Sequence, residues 1–206
     1  MNKIKLNLML AGAVWLGAAL ASAQDVKLQS GTLDFLKGET ALNLEYNYDG
    51  LNVGKLPEQT YVDEKVADLN KKETGKGDAW LASWKSDRER RYQPKFEELF
   101  NKQFFDKQLE LHAGPAPRAK FTLVLKTTNL EPGFNVAVMR RPAMVCTEAT
   151  FYETTDRSKP LAVITILKSP GQDAMGYDFD TGQRLAEGYA KTGKELGKFL
   201  IKKALK

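Results

Sequence analysis

The chain has 206 residues, 42% of them hydrophobic, a formal net charge of +5, one cysteine and one histidine. That length suits one domain with a real core. The lone Cys146 excludes an internal disulfide, Cys146 and His112 together are too few for the usual zinc site, and a mildly basic, interspersed charge does not select nucleic acid as a partner.

Lys3 and Lys5 give a basic start, and an apolar run, "LNLMLAGAVWLGAAL", extends from Leu6 to Leu20. Ala21-Ser22-Ala23 has the small-x-small pattern of a signal-peptidase site, so residues 1–23 read as a signal peptide cleaved before Gln24. The run is short for a bilayer span, and no cysteine stands at the junction to carry a lipid. The remaining 183 residues, 24–206, carry a formal charge of +3 and read as one exported domain, periplasmic or secreted, with no membrane span.

Gln24 to Ser30 is polar and reads as a leader, and "LDFL" at Leu33 to Leu36 as a short strand. "ALNLEYNY" alternates, with Leu42, Leu44, Tyr46 and Tyr48 on one side, which is the period of a half-buried strand. After Pro57 the period changes, and Val62, Val66 and Leu69 share a helical face. "KKETGKG" breaks that helix. Asp78 is the expected cap of the next one, in which Trp80, Leu81 and Trp84 face inward while Asp87 and Arg91 pair on the wet side. Pro94 must end or kink it, and also suits the first turn of a third helix with Phe96, Leu99, Phe100 and Phe104 inward.

"HAGPAP" from His112 reads as a loop. "FTLVLKTT" from Phe121 alternates, and "AMVCTEATFYET" with "LAVITILK" reads as a hairpin whose second arm, Leu161 to Leu167, is a central buried strand. Between them, "EPGFNVAVMRRP" reads as a type II turn at Pro132-Gly133, a short strand through Phe134, Val136 and Val138, and an outward Arg140-Arg141. A partner-binding rim is its functional alternative. After a loop, a last helix spans Thr181 to Ala204, with Leu185, Tyr189, Leu196, Phe199 and Leu200 apolar, Phe199 deeply buried, and Gly188, Gly193 and Gly197 permitting close approach to the sheet. The expected architecture is α+β: a mixed, mostly antiparallel sheet covered by helices, with a long C-terminal helix on it.

No catalytic, cofactor-binding or metal-ligating set is assigned. His112 lies beside a Gly/Pro loop, and Cys146 reads as a small core residue within a strand. "DFDTG" departs from the phosphoryl-transfer pattern at Gly182; Asp180 reads instead as a helix cap with Gln183 completing a capping box. Asp173, Asp178 and Asp180 lack calcium-loop spacing. Trp80, Trp84 and Tyr92 interleave with Arg88, Arg90 and Arg91, a pattern found in single-strand binding, but Asp87 and Glu89 beside them favour an amphipathic helix.

The element order, with "FTLVLKTTNLEPGF", "ATFYETTDRSKPLAVITI" and "GQRLAEGYAKTGKELGKFLIKKAL", resembles small exported bacterial proteins of unknown function whose fold looks like the TolB amino-terminal domain and the penicillin-binding-protein activator LpoB. The resemblance implies an envelope protein that works by protein contacts. This chain lacks the lipid-bearing cysteine of the LpoB type, and no functional residue transfers. The expectation is a non-catalytic binding protein with an envelope partner. The rival is a hydrolase of envelope sugars using carboxylates brought together from loops.

Overall fold

The computed structural model describes residues 24–136, 139–171 and 180–205; the signal-peptide expectation for residues 1–23, and Val138, Asp173 and Asp178, lie outside them. Alternating apolar residues build an eight-stranded mixed sheet. Its strands are β1 (Asp25–Gly31), β2 (Ala41–Asn47), β3 (Asn52–Val53), β4 (Leu56–Pro57), β5 (His112–Gly114), β6 (Phe121–Glu131), β9 (Ala143–Glu153) and β10 (Ala162–Gly171). Two further strands, β7 (Phe134–Val136) and β8 (Met139–Arg141), pair only with each other. The main order is β1-β10-β9-β6-β2-β5, with β3 beside β6 and β4.

β1, β10, β9 and β6 run antiparallel in turn, whereas β2 is parallel to β5 and β6. A parallel return needs a long crossover. It is supplied by α1 (Glu58–Lys72), α2 (Lys76–Asp87) and α3 (Gln93–Phe105). The fold is α+β, and the last helix, α4 (Thr181–Ala204), packs on the sheet.

The sheet is apolar toward the helices. Leu123, Leu125, Ala149, Phe151, Ala162, Ile164 and Ile166 are buried there, and register sets Leu123 opposite Phe151 and Ala149 opposite Ile164. The other face is polar, with Lys126, Glu148 and Thr165 in one cross-strand row. β10 is therefore buried on one face and is second from an edge, not central; Leu167 is exposed. Cys146 lies out of the core too, half-buried on β9, its Sγ accepting from the Lys168 N–H at 3.4 Å.

Several local expectations give way. Gln24 to Ser30 is not a leader, because Val26 and Leu28 are half-buried on an edge strand whose Asp25 and Lys27 face water, a composition that protects an edge. "LDFL" forms a 3-10 turn that buries Leu33 and Leu36, three residues apart. His112 begins an edge strand instead of a loop. Gly75, at φ 84°, occupies the N-cap of α2, and Asp78 falls in the first turn.

Pro94 neither stops nor sharply ends the helical path. Its ring crowds the carbonyl four residues back and it has no N–H to donate. The chain widens into a π turn over Arg88–Tyr92, closed by the Gln93 N–H on the Arg88 carbonyl, and α3 starts with Pro94 in its first turn. Phe96, Phe100 and Phe104 then line one buried face.

α4 has the predicted limits, but Phe199 is only partly buried; Leu185, Tyr189, Leu196 and Leu200 hold the centre of the stripe. Gly188 meets the sheet at Val145, while Gly193 and Gly197 meet α3. Asp180 accepts from the Gly182 and Gln183 N–H groups as an N-cap, but the Gln183 side chain turns forward to Glu187, so the reciprocal half of the capping box is not made.

Asp180 also binds Arg91 at 2.6 Å, and Arg91 reaches Asp87 at 3.1 Å. The Asp87–Arg91 pair is thus formed, with Asp87 buried under the start of α4 instead of in water. Burial raises the Asp87 pKa against the pull of Arg91. For Asp180, burial also pushes upward, but Arg91 and the capping N–H groups outweigh it and leave a lowered pKa. A lowered acid stabilises the fold above its unfolded pKa and loses that contribution as pH falls through its folded value; raised Asp87 acts in the opposite sense. Asp180→Ala should cost about 1–2 kcal/mol at neutral pH. The deficit should shrink at a pH below the ordinary aspartate value of about 4, as the parent protonates Asp180 and loses the same contribution. Urea melts at the two pH values measure it.

Candidate functional site

A cleft of about 730 Å³ opens where α1, α2 and the π turn meet the end of β2. That volume falls within the range of small-molecule sites, about 300–1,000 Å³. β2 alternation brings Tyr46, and Tyr48 just beyond it, to the floor. α1 contributes Val62 and Val66 at helical spacing, and α2 contributes Leu81 and Trp84.

The polar groups are held in pairs. Trp84 Nε1–H donates to Glu58 Oε1 at 2.7 Å, and Arg88 Nη2 donates to the same oxygen. The Arg88 guanidinium lies 4.3 Å from the centre of the Tyr48 ring, a cation–π arrangement. Gln59 donates to Asp63 at 2.8 Å one turn away. Behind the cleft Trp84 stacks on Trp80 at 5.4 Å and meets Tyr61 at 5.6 Å, so its indole is clamped in place.

The floor is rigid. The Tyr46 hydroxyl lies 3.2 Å from the Gln93 carbonyl and donates to Glu97 at 3.0 Å; burial, then the Glu97 charge, raises its pKa. The Tyr48 hydroxyl is itself buried without a well-formed hydrogen bond, beside the polar groups of Gln93 and Tyr189, and burial raises its pKa. Beneath, Tyr92 stacks on Tyr189 at 4.9 Å, and the Tyr189 hydroxyl is 2.6 Å from Thr127 Oγ1. Three carboxylates, Glu58, Asp63 and Glu89, reach the cleft. Glu58 is engaged by Arg88 and Trp84, and Asp63 by Gln59.

The aromatic–arginine stretch is dispersed. Trp84 and Arg88 enter the cleft, Arg91 joins Asp87 and Asp180, Tyr92 enters the core and Arg90 is exposed. His112 on β5 and Cys146 on β9 stand three strand spacings apart in the sheet order, about 14 Å sideways, and are further offset along the strands by the register, so they form no thiol–imidazole pair. Gly133 has the positive φ expected of it, 62°, but Pro132 and Gly133 form neither a turn nor a bend, and the chain passes into the β7–β8 pair and not one strand; Arg141 is exposed and binds Glu131 at 3.2 Å. No group of three or more histidine, cysteine, aspartate or glutamate side chains among the described residues could hold a metal ion. No helix among them is long and apolar enough to cross a membrane.

No family model matches the chain, and no curated protein matches it. Solved structures similar to it include the PelC dodecamer from Paraburkholderia phytofirmans, at 11% identity and TM-score 0.37, covering 84% of this chain and 96% of that one. Another is protein XCC0632 from Xanthomonas campestris, described by the family model DUF330, at 10% identity and TM-score 0.35, covering 79% and 86%. At this distance neither likeness assigns a ligand or an activity.

Proposed function

We propose that the chain is an exported, non-catalytic binding protein of the cell envelope, and that its ligand enters the cleft between α1, α2 and β2. The observation that carries the reading is the preformed lining: ring faces and aliphatic side chains surround polar groups already fixed by Glu58, Arg88 and Trp84. Such fixed, mixed walls suit reversible binding, because little side-chain freedom remains to be lost. The "LNLMLAGAVWLGAAL" run and Ala21-Ser22-Ala23 support export in this reading, and the resemblance of the sequence to the TolB amino-terminal domain and LpoB implies a role through contacts.

Val66→Trp tests it by adding an indole to the cleft wall. Mature parent protein, Val66→Trp and the open-face variant Lys126→Ala are each used to capture components of the envelope. The parent and Lys126→Ala should retain a common component that Val66→Trp loses. Equal retention by all three would contradict a role for the cleft.

A further inference from the structure

We propose that the ligand of this cleft is a neutral saccharide, lying on the ring of Tyr46 with its hydroxyls inserted into the Glu58–Arg88 and Gln59–Asp63 pairs. The proposal rests on the reading of the cleft as the binding site.

Charge argues for neutrality. Two cations, Lys85 and Arg88, oppose three carboxylates, Glu58, Asp63 and Glu89, so the lining is mixed in sign with one excess negative charge, and a strongly charged ligand of either sign meets like charges as well as opposite ones. The polar chemistry argues for hydroxyls. Each pair sets a planar donor beside a planar acceptor. A hydroxyl both donates and accepts from one atom, and so can bridge such a pair. A peptide amide carries its N–H and C=O in one plane but pointing in opposite directions, and fits less well. A purely apolar ligand would strip water from the half-buried Glu58–Arg88 pair and return nothing, which is costly.

The floor argues for a ring with an apolar face. The Tyr46 hydroxyl is tied to Glu97 and the Tyr48 hydroxyl is buried, so their rings are what remains for the cleft. Tyr46 and Tyr48 stand two residues apart on one side of the strand path, about 7 Å. Arg88 already covers one face of the Tyr48 ring, so the Tyr46 ring is the platform offered to the C–H face of a pyranose, with Tyr48 and Arg88 beside it.

The test titrates mature protein with maltotriose and N,N′,N″-triacetylchitotriose, which are neutral, with the anionic galacturonate trimer, the cationic glucosamine trimer and a neutral capped tripeptide. Calorimetry and aromatic fluorescence read binding by the parent, Val66→Trp, Arg88→Lys and Lys126→Ala. A neutral trisaccharide should bind saturably. Arg88→Lys, which loses the planar fork, and Val66→Trp should each bind about tenfold more weakly or worse, with Lys126→Ala unchanged. Val66→Trp carries the test if Arg88→Lys loosens the end of α2. Preference for a charged trimer or the tripeptide would overturn the proposal, as would saccharide binding indifferent to Val66→Trp. If no saccharide binds while Val66→Trp still abolishes envelope capture, the ligand class is wrong and the cleft stands. If Val66→Trp changes neither, both readings fall.

Discussion

Phe100→Ala should destabilise the protein by about 3–5 kcal/mol, a large share of a single domain's stability. Phe100 is fully buried between α3 and α4, stacked 5.4 Å from Phe96 and edge-on 5.0 Å from Phe104. Truncation forfeits the transfer of the ring from water and leaves a hole that backbone cannot close, because Gly197 already brings α4 against the Phe100 carbonyl. Phe105, the next residue, is 82% exposed, and Phe105→Ala should stay within about 0.5 kcal/mol. Urea melts of the two variants decide it. Equal midpoints would mean that α3 is not docked through this face.

Gly193→Ala should cost about 1–3 kcal/mol, although alanine favours helices. Added to an exposed helix interior, the methyl would stabilise by roughly 1 kcal/mol. Here its β-carbon would stand 2.3 Å from the Phe96 carbonyl oxygen and 3.1 Å from the Phe100 nitrogen. Both are backbone atoms and cannot rotate away, so the two helices must separate. The sign of the change, read from thermal or urea unfolding, is the test: a variant as stable as the parent would show that α4 does not approach α3 at Gly193.

The parts of this fold legible in the sequence are those whose period and polarity agree. α4 is readable to its limits because Asp180 caps it and Leu185, Tyr189, Leu196 and Leu200 repeat on one face. Phe199 lies beside that stripe, and hydrophobicity alone does not show that the flank is only half covered. β1 is hard to read because an edge strand with one wet side, carrying Asp25, Lys27 and Gln29, has the composition of a leader. β5 is harder still because three residues hold no period; what makes His112–Gly114 a strand is its parallel partner, Ala41–Asn43. The π turn before Pro94 follows from the proline, yet the same residue could equally end the helix there.

The cleft is least legible. Trp84 and Arg88 share a helical face, and so do Val62 and Val66, which is visible as spacing. That both Trp84 and Arg88 close on Glu58, 26 and 30 residues earlier, depends on how α1 folds back along α2, and no local pattern encodes it. The arginine–aromatic stretch stands out by composition, whereas its residues divide between cleft, core and the Asp87–Arg91–Asp180 cluster.

Hydrogen exchange of residues 24–206, alone and with an envelope fraction, tests the central claim most directly, because it works before the ligand is identified. Binding in the cleft should slow exchange in the helical turns that line it, at Glu58 to Val66 and at Leu81 to Gln93. It should leave the polar sheet face around Lys126 and Glu148 unchanged. Protection confined to that sheet face, or no protection at all in a fraction that the protein demonstrably captures from, would contradict the account.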